Sequence, residues 1–397
     1  MSSTASDPVV IASYARTPMG GFQGVFAPVK ATDLGAAAVR AAVERAGVQP
    51  ADVEQIVMGC VLPAGLGQAP ARQAAIGGGL PTSVEATTVN KMCGSGMQAA
   101  ILAHDALAAG SVDVIVAGGM ESMTNAPFLS KSHRGGARIG HDTMYDHMYL
   151  DGLEDAYEPG RLMGSFAEES AKHYQFTREA MDEYAISSLN RAKAATASGA
   201  FKKEIVPVEV VTRKGAVLVE DDEQPAKADP AKIPTLKPAF AKDGGITAAN
   251  ASSISDGAAA LVVMSDTKAK ALGLTPLATI RAYASAGVDP SIMGMGPWPA
   301  VEKALAKAGL RKEEIDLWEL NEAFAAQSLG VLRELKLPKN RVNINGGAIA
   351  LGHPIGASGA RVLVTLLHAM ADRGVPLGVA SLCIGGGQGI AMVVERA

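Results

Sequence analysis

The sequence predicts an α/β protein made of two similar halves, with a long segment inserted into the first half. Short apolar runs alternate with alanine-rich segments of helical period, a pattern that is typical of βα units. The stretch VRAAVERAGVQPADV at 39–53 is matched by VEKALAKAGLRKEEI at 301–315, an offset of 301 − 39 = 262 residues. Residues 121–249 are richer in Met, Tyr, His and charge and lack this rhythm, which indicates an insertion over one face of a duplicated core.

The elements of the first half follow from these runs. The predicted strands are Val9–Ser13, Gln55–Gly59 and Asp113–Ala117, and the predicted helices are Asp33–Ala46 and Met97–Ala109. Gly47 is expected to terminate the first of these helices. A second pair, GSGMQA at 94–99 and ASGARV at 357–362, has nearly the same offset, 357 − 94 = 263, although alanine-rich helices can also resemble one another by chance.

Three parts of the chain are therefore expected. Residues 1–120 with 250–275 form the first half, 121–249 the inserted segment, and 276–397 the second half. Within the insertion, the proline-containing stretch Glu220–Pro238 is expected to be a loop.

Composition excludes several classes of protein. The 397 residues carry 36 Lys and Arg against 40 Asp and Glu, a net charge of −4 that gives no bulk attraction for nucleic acid or an anionic membrane. Three cysteines are too few for a disulfide scaffold. The N-terminal MSSTASDPVV does not look like a secretory signal, and no run approaches the roughly 20 apolar residues of a membrane span. We expect a cytoplasmic globular protein.

The strongest local signal is TTVNKMCGSGM at 87–97, where a β-branched run leads to Cys93, then Gly-Ser-Gly, then a helix. This places a thiol beside the positive end of a helix dipole, a field that is expected to favour the thiolate nucleophile. Gly94 and Gly96 would let a substrate approach backbone N–H groups. The alternative is a buried structural cysteine, the usual state of a free thiol.

Two further glycine-rich segments carry reactive side chains. His353 lies in VNINGGAIALGHPIGASGAR, and as a neutral imidazole it could accept the proton of Cys93. Cys383 ends an apolar strand and precedes three glycines in SLCIGGGQG. A phosphate-binding loop is the alternative there, but the sequence has neither GxxxxGK[ST] nor a suitably placed GxGxxG.

Polar residues at two other places have competing interpretations. Asn321 and Glu322 join an apolar strand to an alanine-rich helix in LWELNEAFAA, where Asn321 could be a helix cap, a functional side chain at the sheet edge, or both. The grouping of His133, 141–142 and 146–147 fits no metal-ligand spacing, so no metal site is expected.

Taken together, the motifs VNKMCGSG, NEAFA, NxNGGxIALGHPxGxSGxR and CIGGGxG resemble the signature set of the thiolases, in the same order and spacing. The stretches GGMESMTNAP, GQAPARQAA, NASSISDGAAA and MGMGPWPA extend the likeness over the whole chain, which is most similar to the acetyl-CoA acetyltransferase branch. The resemblance implies an α/β thiolase fold: two βαβαβαββ halves stacked in five layers, αβαβα, with an inserted loop domain. It also implies a homotetramer, with dimers as the simpler possibility, whose contacts involve the segment around His141.

The resemblance implies a reversible condensation of two acetyl-CoA to acetoacetyl-CoA and CoA through an acyl-cysteine. Cys93 would be the nucleophile activated by His353, and Cys383 the acid/base at the substrate α-carbon. Asn321, through a water, and His353 would form one oxyanion hole, and the N–H groups of Cys93 and Gly385 the second. Coenzyme A thioesters are the substrates, and no prosthetic group is expected.

The resemblance also implies a CoA site. Ser252 and Ala248 would line the pantetheine arm, and Lys227 is a candidate for the 3′-phosphate, although an exposed lysine is more often only solvated. The apolar lining would comprise Phe240, Met163, Met293, Ala323 and Phe324, of which the two methionines could equally be core residues.

One departure and several rival classes bear on this interpretation. Leu162 stands where many biosynthetic members carry His, so a broader-chain 3-ketoacyl-CoA thiolase of β-oxidation is the alternative function. A papain-like protease, a ketoacyl synthase and a non-catalytic CoA-binding protein are the rivals, but none requires Cys93, His353 and Cys383 together.

Overall fold

The structure, a computed structural model, describes residues 7–397. The first six residues, on which the prediction about a secretory signal partly rests, lie outside the described residues. The strands are β1 Val9–Arg16, β2 Gly20–Gly21, β3 Gln55–Gly59, β4 Glu85–Val89, β5 Val114–Ser122, β6 Phe128–Ser130, β7 Met144–Asp146, β8 Val208–Thr212, β9 Gly215–Val219, β10 Ser255–Ser265, β11 Ala278–Gly287, β12 Leu317–Leu320, β13 Leu377–Ile384 and β14 Gln388–Arg396. The α-helices are α1 Ala31–Ala46, α2 Pro70–Gly77, α3 Ser95–Ala108, α4 Met163–His173, α5 Arg178–Ser198, α6 Glu223–Lys227, α7 Asp266–Ala271, α8 Pro297–Ala308, α9 Ala325–Leu335, α10 Ala348–Leu351 and α11 Ile355–Arg373.

The strands of the two halves meet in one mixed sheet. Its order is β12-β13-β14-β11-β1-β10-β5-β3-β4, with β2 paired to β10. The strands β4, β3, β5, β10 and β1 belong to the first half, and β11, β14, β13 and β12 to the second. The halves are joined where β1 pairs with β11 through Val10 and Thr279 and through Ile11 and Ala278.

Three apolar cores fill the spaces between five layers, and the second of them occupies both sides of the middle helical layer. The first core lies between α1 and α2 and the outer face of the first half-sheet. The second lies around α3 and α11, which contact the inner faces of both half-sheets. The third lies between the second half-sheet and α8 and α9. Both faces of β10 are buried, since Ala258 and Ala260 pack in the first core and Ala259 and Leu261 in the second. This is why the sequence of β10 is continuously apolar and does not alternate. The predicted α/β thiolase fold is confirmed.

The duplication seen in the sequence is a duplication of structure. Helix α1 ends at Gly47 with φ 71° and ψ 14°, a 3₁₀ turn follows at Pro50–Asp52, and β3 begins at Gln55. Helix α8 ends in the same way at Gly309, with φ 67° and ψ 27°, before the corresponding turn and β12. Both glycines adopt the left-handed conformation that an L side chain would strain.

Several predicted bounds were too short, and one predicted loop was wrong. Strand β1 continues to Arg16 and β5 to Ser122, because both strands stay buried on their two faces. The stretch Glu220–Pro238 contains α6 and a 3₁₀ helix at Pro230–Thr235. Pro225, Pro230 and Pro234 are tolerated there because they lie in the first turn of a short helix or in the 3₁₀ turn, where few N–H donors are needed, and Pro238 follows the 3₁₀ helix.

Between β5 and β10 the chain forms α4 to α6 and two small antiparallel pairs, β6 with β7 and β8 with β9. Helix α5 is the longest element of this region and packs on α9 and α10 of the second half. Across residues 7–397, no helix has both the length and the apolar character to cross a membrane.

Candidate active site

Cys93 lies in a sharp turn between β4 and α3, as its sequence predicts. Met92 adopts φ 46°, an uncommon conformation for a residue with a side chain, and Gly94 caps the N-terminus of α3. A Cβ on Gly94 would lie 2.6 Å from Ile384 Cδ1, so the turn packs closely against the segment that carries Cys383. The turn therefore brings the two glycine-flanked cysteines to the same place.

The surroundings of Cys93 act against the expected preference for the thiolate. Burial raises the pKa of the thiol to about 11, although the N–H groups of Gly385 and of Cys93 itself act in the opposite direction. The sequence predicts the glycine-rich turn correctly. It does not show that residues from distant segments bury the sulfur and exclude water from it. Cys93 is therefore a neutral thiol that needs a base to become a nucleophile.

The base predicted for this role, His353, is buried just before α11. Its Nδ1 lies 2.5 Å from Ser358 Oγ, and the Ser358 hydroxyl donates to the carbonyl of Pro354 at 2.9 Å. Because that hydroxyl proton is used on Pro354, Ser358 accepts from Nδ1–H, which leaves the lone pair on Nε2. Burial, and secondarily the charge of Arg361, lower the pKa of His353 to about 3, so the imidazole is neutral.

Asn321 faces the same imidazole. Its Nδ2 is 3.4 Å from His353 Nε2, and its backbone N–H donates to the carbonyl of Ser381 at 2.9 Å. Its Oδ1 is buried and, among the described residues, has no hydrogen-bond partner. The capping interpretation of Asn321 is wrong, because α9 begins later, with Phe324 at the N-cap. An unpaired buried acceptor is costly, which fits a side chain that binds a water.

Cys383 is the penultimate residue of β13 and is 1% exposed. Burial and the nearby Cys93 sulfur raise the pKa of its thiol well above the ordinary range. Gly385 follows in a turn in which Gly386 and Gly387 have φ near 83° and 85°, so its N–H is free to face Cys93. The two thiols, the imidazole and Asn321 thus lie at one end of the sheet.

An apolar cluster covers Cys383. It contains six residues that the sequence predicts to be functional: Met163, Phe240, Met293, Ala323, Phe324 and Cys383. Phe240 and Phe324 make an edge-to-face contact at 6.2 Å between ring centres. The segment of Ser252 adjoins this cluster, because the N–H of Ser252 donates to the Ala323 carbonyl at 2.9 Å. Ala248 lines a neighbouring cavity of about 200 Å³, and Lys232 lines the same cavity.

Three residues that the sequence analysis gave no role hold this site together. Ser358 fixes the tautomer of His353, and Glu121 accepts from the N–H groups of Val61, Leu62 and Gly356 at 2.8–3.0 Å. Glu322 is the third, with its own set of donors. The signal available in the sequence for Glu121 and Glu322 was a glutamate within an otherwise apolar segment, because such a carboxylate is buried only when it has hydrogen-bond partners.

Lys227, a candidate for the 3′-phosphate, and the histidines at 133–147 all have local partners. Lys227 forms an ion pair with Glu223 on α6 and is otherwise exposed. His133 contacts Asp142, whereas His147 contacts Asp151 at 2.6 Å. Within residues 7–397 no three His, Cys, Asp or Glu side chains are grouped closely enough to bind a metal.

Comparison with known proteins identifies the family. The family models "Thiolase, N-terminal domain" and "Thiolase, C-terminal domain" match residues 9–267 and 274–396. The chain is 54% identical over 392 residues to an acetyl-CoA acetyltransferase of Cupriavidus necator, covering 98% of this chain and 99% of that protein. It is 55% identical over 389 residues to the Escherichia coli acetyl-CoA acetyltransferase, covering 98% of each. The crystal structure of the Bacillus anthracis acetyl-CoA acetyltransferase superposes with a TM-score of 0.97 at 43% identity, covering 100% of both chains. The chain belongs to the thiolase family.

Proposed function

We propose that this protein is an acetyl-CoA C-acetyltransferase, which condenses two acetyl-CoA to acetoacetyl-CoA and CoA and catalyses the reverse thiolysis. The observation that carries the proposal is the convergence of Cys93, Cys383, His353 and Asn321 beneath an apolar cluster. The names of the relatives support the same activity.

In the first half-reaction, Cys93 attacks the thioester carbonyl of acetyl-CoA while its proton passes to Nε2 of His353. The N–H groups of Cys93 and Gly385 donate to the oxyanion that forms. The bond between the acetyl carbon and the CoA sulfur then breaks, and the departing sulfur takes a proton from Cys383. The products are free CoA, acetyl-Cys93, an imidazolium at His353 and a thiolate at Cys383.

In the second half-reaction, the Cys383 thiolate removes an α-proton from a second acetyl-CoA. The enolate oxygen is stabilised by His353 and by a water bound to Asn321 Oδ1. The enolate carbon attacks acetyl-Cys93, the bond to the Cys93 sulfur breaks, and that sulfur regains its proton from His353. The steps use CoA thioesters as substrates and involve no prosthetic group.

The CoA arm is proposed to cross the apolar cluster over Cys383. Met163, Phe240, Met293, Ala323 and Phe324 would cover it, with Ser252 and Ala248 along the pantetheine. Lys232 lies on the adjoining cavity, whereas Lys227 would have to leave Glu223 to reach a phosphate. Apolar walls exclude water, which strengthens hydrogen bonds to the oxyanions.

Direct acetylation tests the mechanism. Incubation with acetyl-CoA should add one acetyl group, which intact-mass measurement and peptide mapping would place on Cys93. Modification of another residue, or none, would refute the proposal. The matched control is Cys93→Ala, which should gain no acetyl group, and the peptide that carries the buried Cys60 should stay unmodified.

The alternative activity is that of a broader-chain 3-ketoacyl-CoA thiolase. Leu162, directly before Met163 at the start of α4, is the observation that favours it, since an apolar side chain there could accept a longer acyl chain. A thiolysis series on 3-oxoacyl-CoA substrates of increasing length separates the two. A steep fall of kcat/KM beyond four carbons indicates the acetoacetyl enzyme, whereas a flat profile indicates the broader one.

A homotetramer, a cytoplasmic location and a role in fatty acid metabolism complete the proposal. Exposed apolar side chains concentrate in the inserted segment, which supports assembly there. They are Phe128, Ile139, Met144, Tyr145, Tyr149, Tyr157, Val211, Val217, Leu218 and Leu236. Three free cysteines, two of them reactive, suit a reducing compartment. The proposed domain boundaries lie at 120/121, 249/250 and 275/276. Sedimentation equilibrium would distinguish a tetramer from a dimer.

A further inference from the structure

Glu322 is a buried carboxylate whose partners come from three separate segments. It directly follows Asn321 and is 1% exposed. Its Oε1 accepts from the Tyr184 hydroxyl at 3.1 Å and from Asn343 Nδ2 at 2.9 Å. Its Oε2 accepts from the Ser188 hydroxyl at 2.7 Å and from the N–H of Ile349 at 3.2 Å.

All four partners of this carboxylate are neutral donors. An ionised carboxylate can accept about four hydrogen bonds, so the four donors occupy the whole accepting capacity of Glu322. A glutamine side chain of the same shape would accept through its oxygen only, and its NH₂ group would face two of these donors. Its role is therefore different from that of a buried ion pair such as Arg361 with Glu319. A carboxylate with this set of partners fixes the position of whatever donates to it.

The first thing it fixes is the backbone on either side of Asn321. Asn343, in the left-handed conformation with φ 47°, accepts from the N–H of Leu320 and donates to its carbonyl, both at 2.8 Å. Asn343 also donates to Glu322. The residues before and after Asn321 are thus connected through one side chain, so the Asn321 amide cannot shift without breaking several buried hydrogen bonds.

The second thing it fixes is the segment that leads to His353. Ile349 lies in α10, which ends at Leu351, two residues before His353. Ser188 reinforces this contact, because its hydroxyl also accepts from the N–H of Gly347 at 3.0 Å. A Cβ on Gly347 would lie 2.4 Å from the Glu322 carboxyl carbon, so the two segments are in close contact.

From these contacts we propose that Glu322 is a positioning residue that sets the geometry of Asn321 against His353, and that α5 of the inserted segment holds it in place. The inference rests on the proposed function. Because the Asn321–His353 pair serves the enolate, loss of the Glu322 contacts should affect α-proton removal more than acetylation of Cys93.

The test compares Glu322→Gln with wild type in the two half-reactions. Acetylation of Cys93 is followed by CoA release in a rapid burst, and α-proton removal by exchange of the methyl protons of acetyl-CoA into D₂O. Removing one oxyanion donor costs about 10²–10³-fold in rate, so displacing one should slow exchange by about 10–100-fold. Acetylation should fall by less than about threefold, with KM for acetyl-CoA nearly unchanged.

Two further variants keep the test decisive if Glu322→Gln does not fold. Tyr184→Phe and Ser188→Ala each remove one donor and leave the carboxylate in place, and each should slow exchange by about three- to tenfold. The matched control is Glu54→Gln, a carboxylate that accepts from the N–H groups of Asp113 and Val114 far from the site; it should change neither rate.

The outcomes separate the two claims. Exchange within about twofold of wild type, or an equal loss in both half-reactions, overturns the positioning role. A wild-type protein that neither acetylates Cys93 nor exchanges α-protons refutes the proposed function, and the inference fails with it. Selective loss of exchange with retained acetylation supports both.

Discussion

Replacing Ser358 with Ala should remove the group that keeps the basic nitrogen of His353 directed at the substrate side. The hydroxyl is fully buried and accepts from Nδ1–H at 2.5 Å. Its own acceptor, the Pro354 carbonyl, also receives the N–H groups of Ala357 and of residue 358 at 2.9 Å, so it stays paired in the variant. The effect of the substitution is therefore confined to the imidazole.

The magnitude follows from leaving one buried donor unpaired. That costs about 1–3 kcal/mol, which removes the preference for the Nδ1–H tautomer by about 5–150-fold. We expect the rate of Cys93 acetylation to fall by the same factor while KM changes little, because the substrate contacts are untouched. The free energy of unfolding should fall by no more than about 3 kcal/mol.

Rapid-mixing measurement of the CoA burst is the assay. Ser13→Ala is the control, because it also removes a buried serine hydroxyl, one that donates to the Ala42 carbonyl in the first outer layer. It should leave the burst rate unchanged. Burst kinetics within about twofold of wild type in Ser358→Ala would refute the tautomer argument, since the imidazole would then be oriented by something else.

Three other outcomes follow from the site. Cys383→Ala should still form acetyl-Cys93, detected by mass, but should lose condensation and α-proton exchange by about 10³-fold or more; full turnover would remove Cys383 from its role. Alkylation of Cys93 by iodoacetamide should rise with pH toward the pKa of about 11, and a plateau between pH 6 and 8 would contradict the neutral thiol. Burial raises the pKa of Glu121 to about 7, above its unfolded value of 4.5, so the native state binds the extra proton. Stability should therefore fall as pH rises from 4.5 to 7, by up to about 3 kcal/mol from this group, and the melting temperature of Glu121→Gln should vary less over that window than that of wild type.

Local signals in the sequence predicted the turns well. A β-branched run followed by Gly-Ser-Gly predicts the turn at Cys93, and the Ala-Gly pairs predict the left-handed ends at Gly47 and Gly309. Each depends on conformational limits of a few consecutive residues, which a sequence displays directly.

Properties that depend on distant segments could not be predicted in this way. The pKa of Cys93 is raised by burial, and the apolar residues that pack around it include Met148 and Ile355, which are distant in the sequence. Asn321 looks like a helix cap until the structure shows α9 beginning after Phe324. Glu322 could be recognised as an unusual polar residue, but its four donors lie in the inserted helix α5 and in the later segment that contains Asn343 and Ile349.

The duplication itself explains how the segments of Cys93 and His353, the proposed nucleophile and base, come together. Helices α3 and α11 cross where a Cβ on Gly96 would lie 2.5 Å from the Ala360 nitrogen, and a Cβ on Gly359 would lie 2.3 Å from the Met97 nitrogen. The two contacts are equivalent: adding the offset of 263 residues to 96 and 97 gives 359 and 360, so Gly96 corresponds to Gly359 and Met97 to Ala360. The crossing is thus a contact between equivalent positions of the two halves, and it is as close as backbone allows. Because Cys93 and His353 each lie two residues before one of these helices, the glycines at the crossing allow the two segments to approach closely.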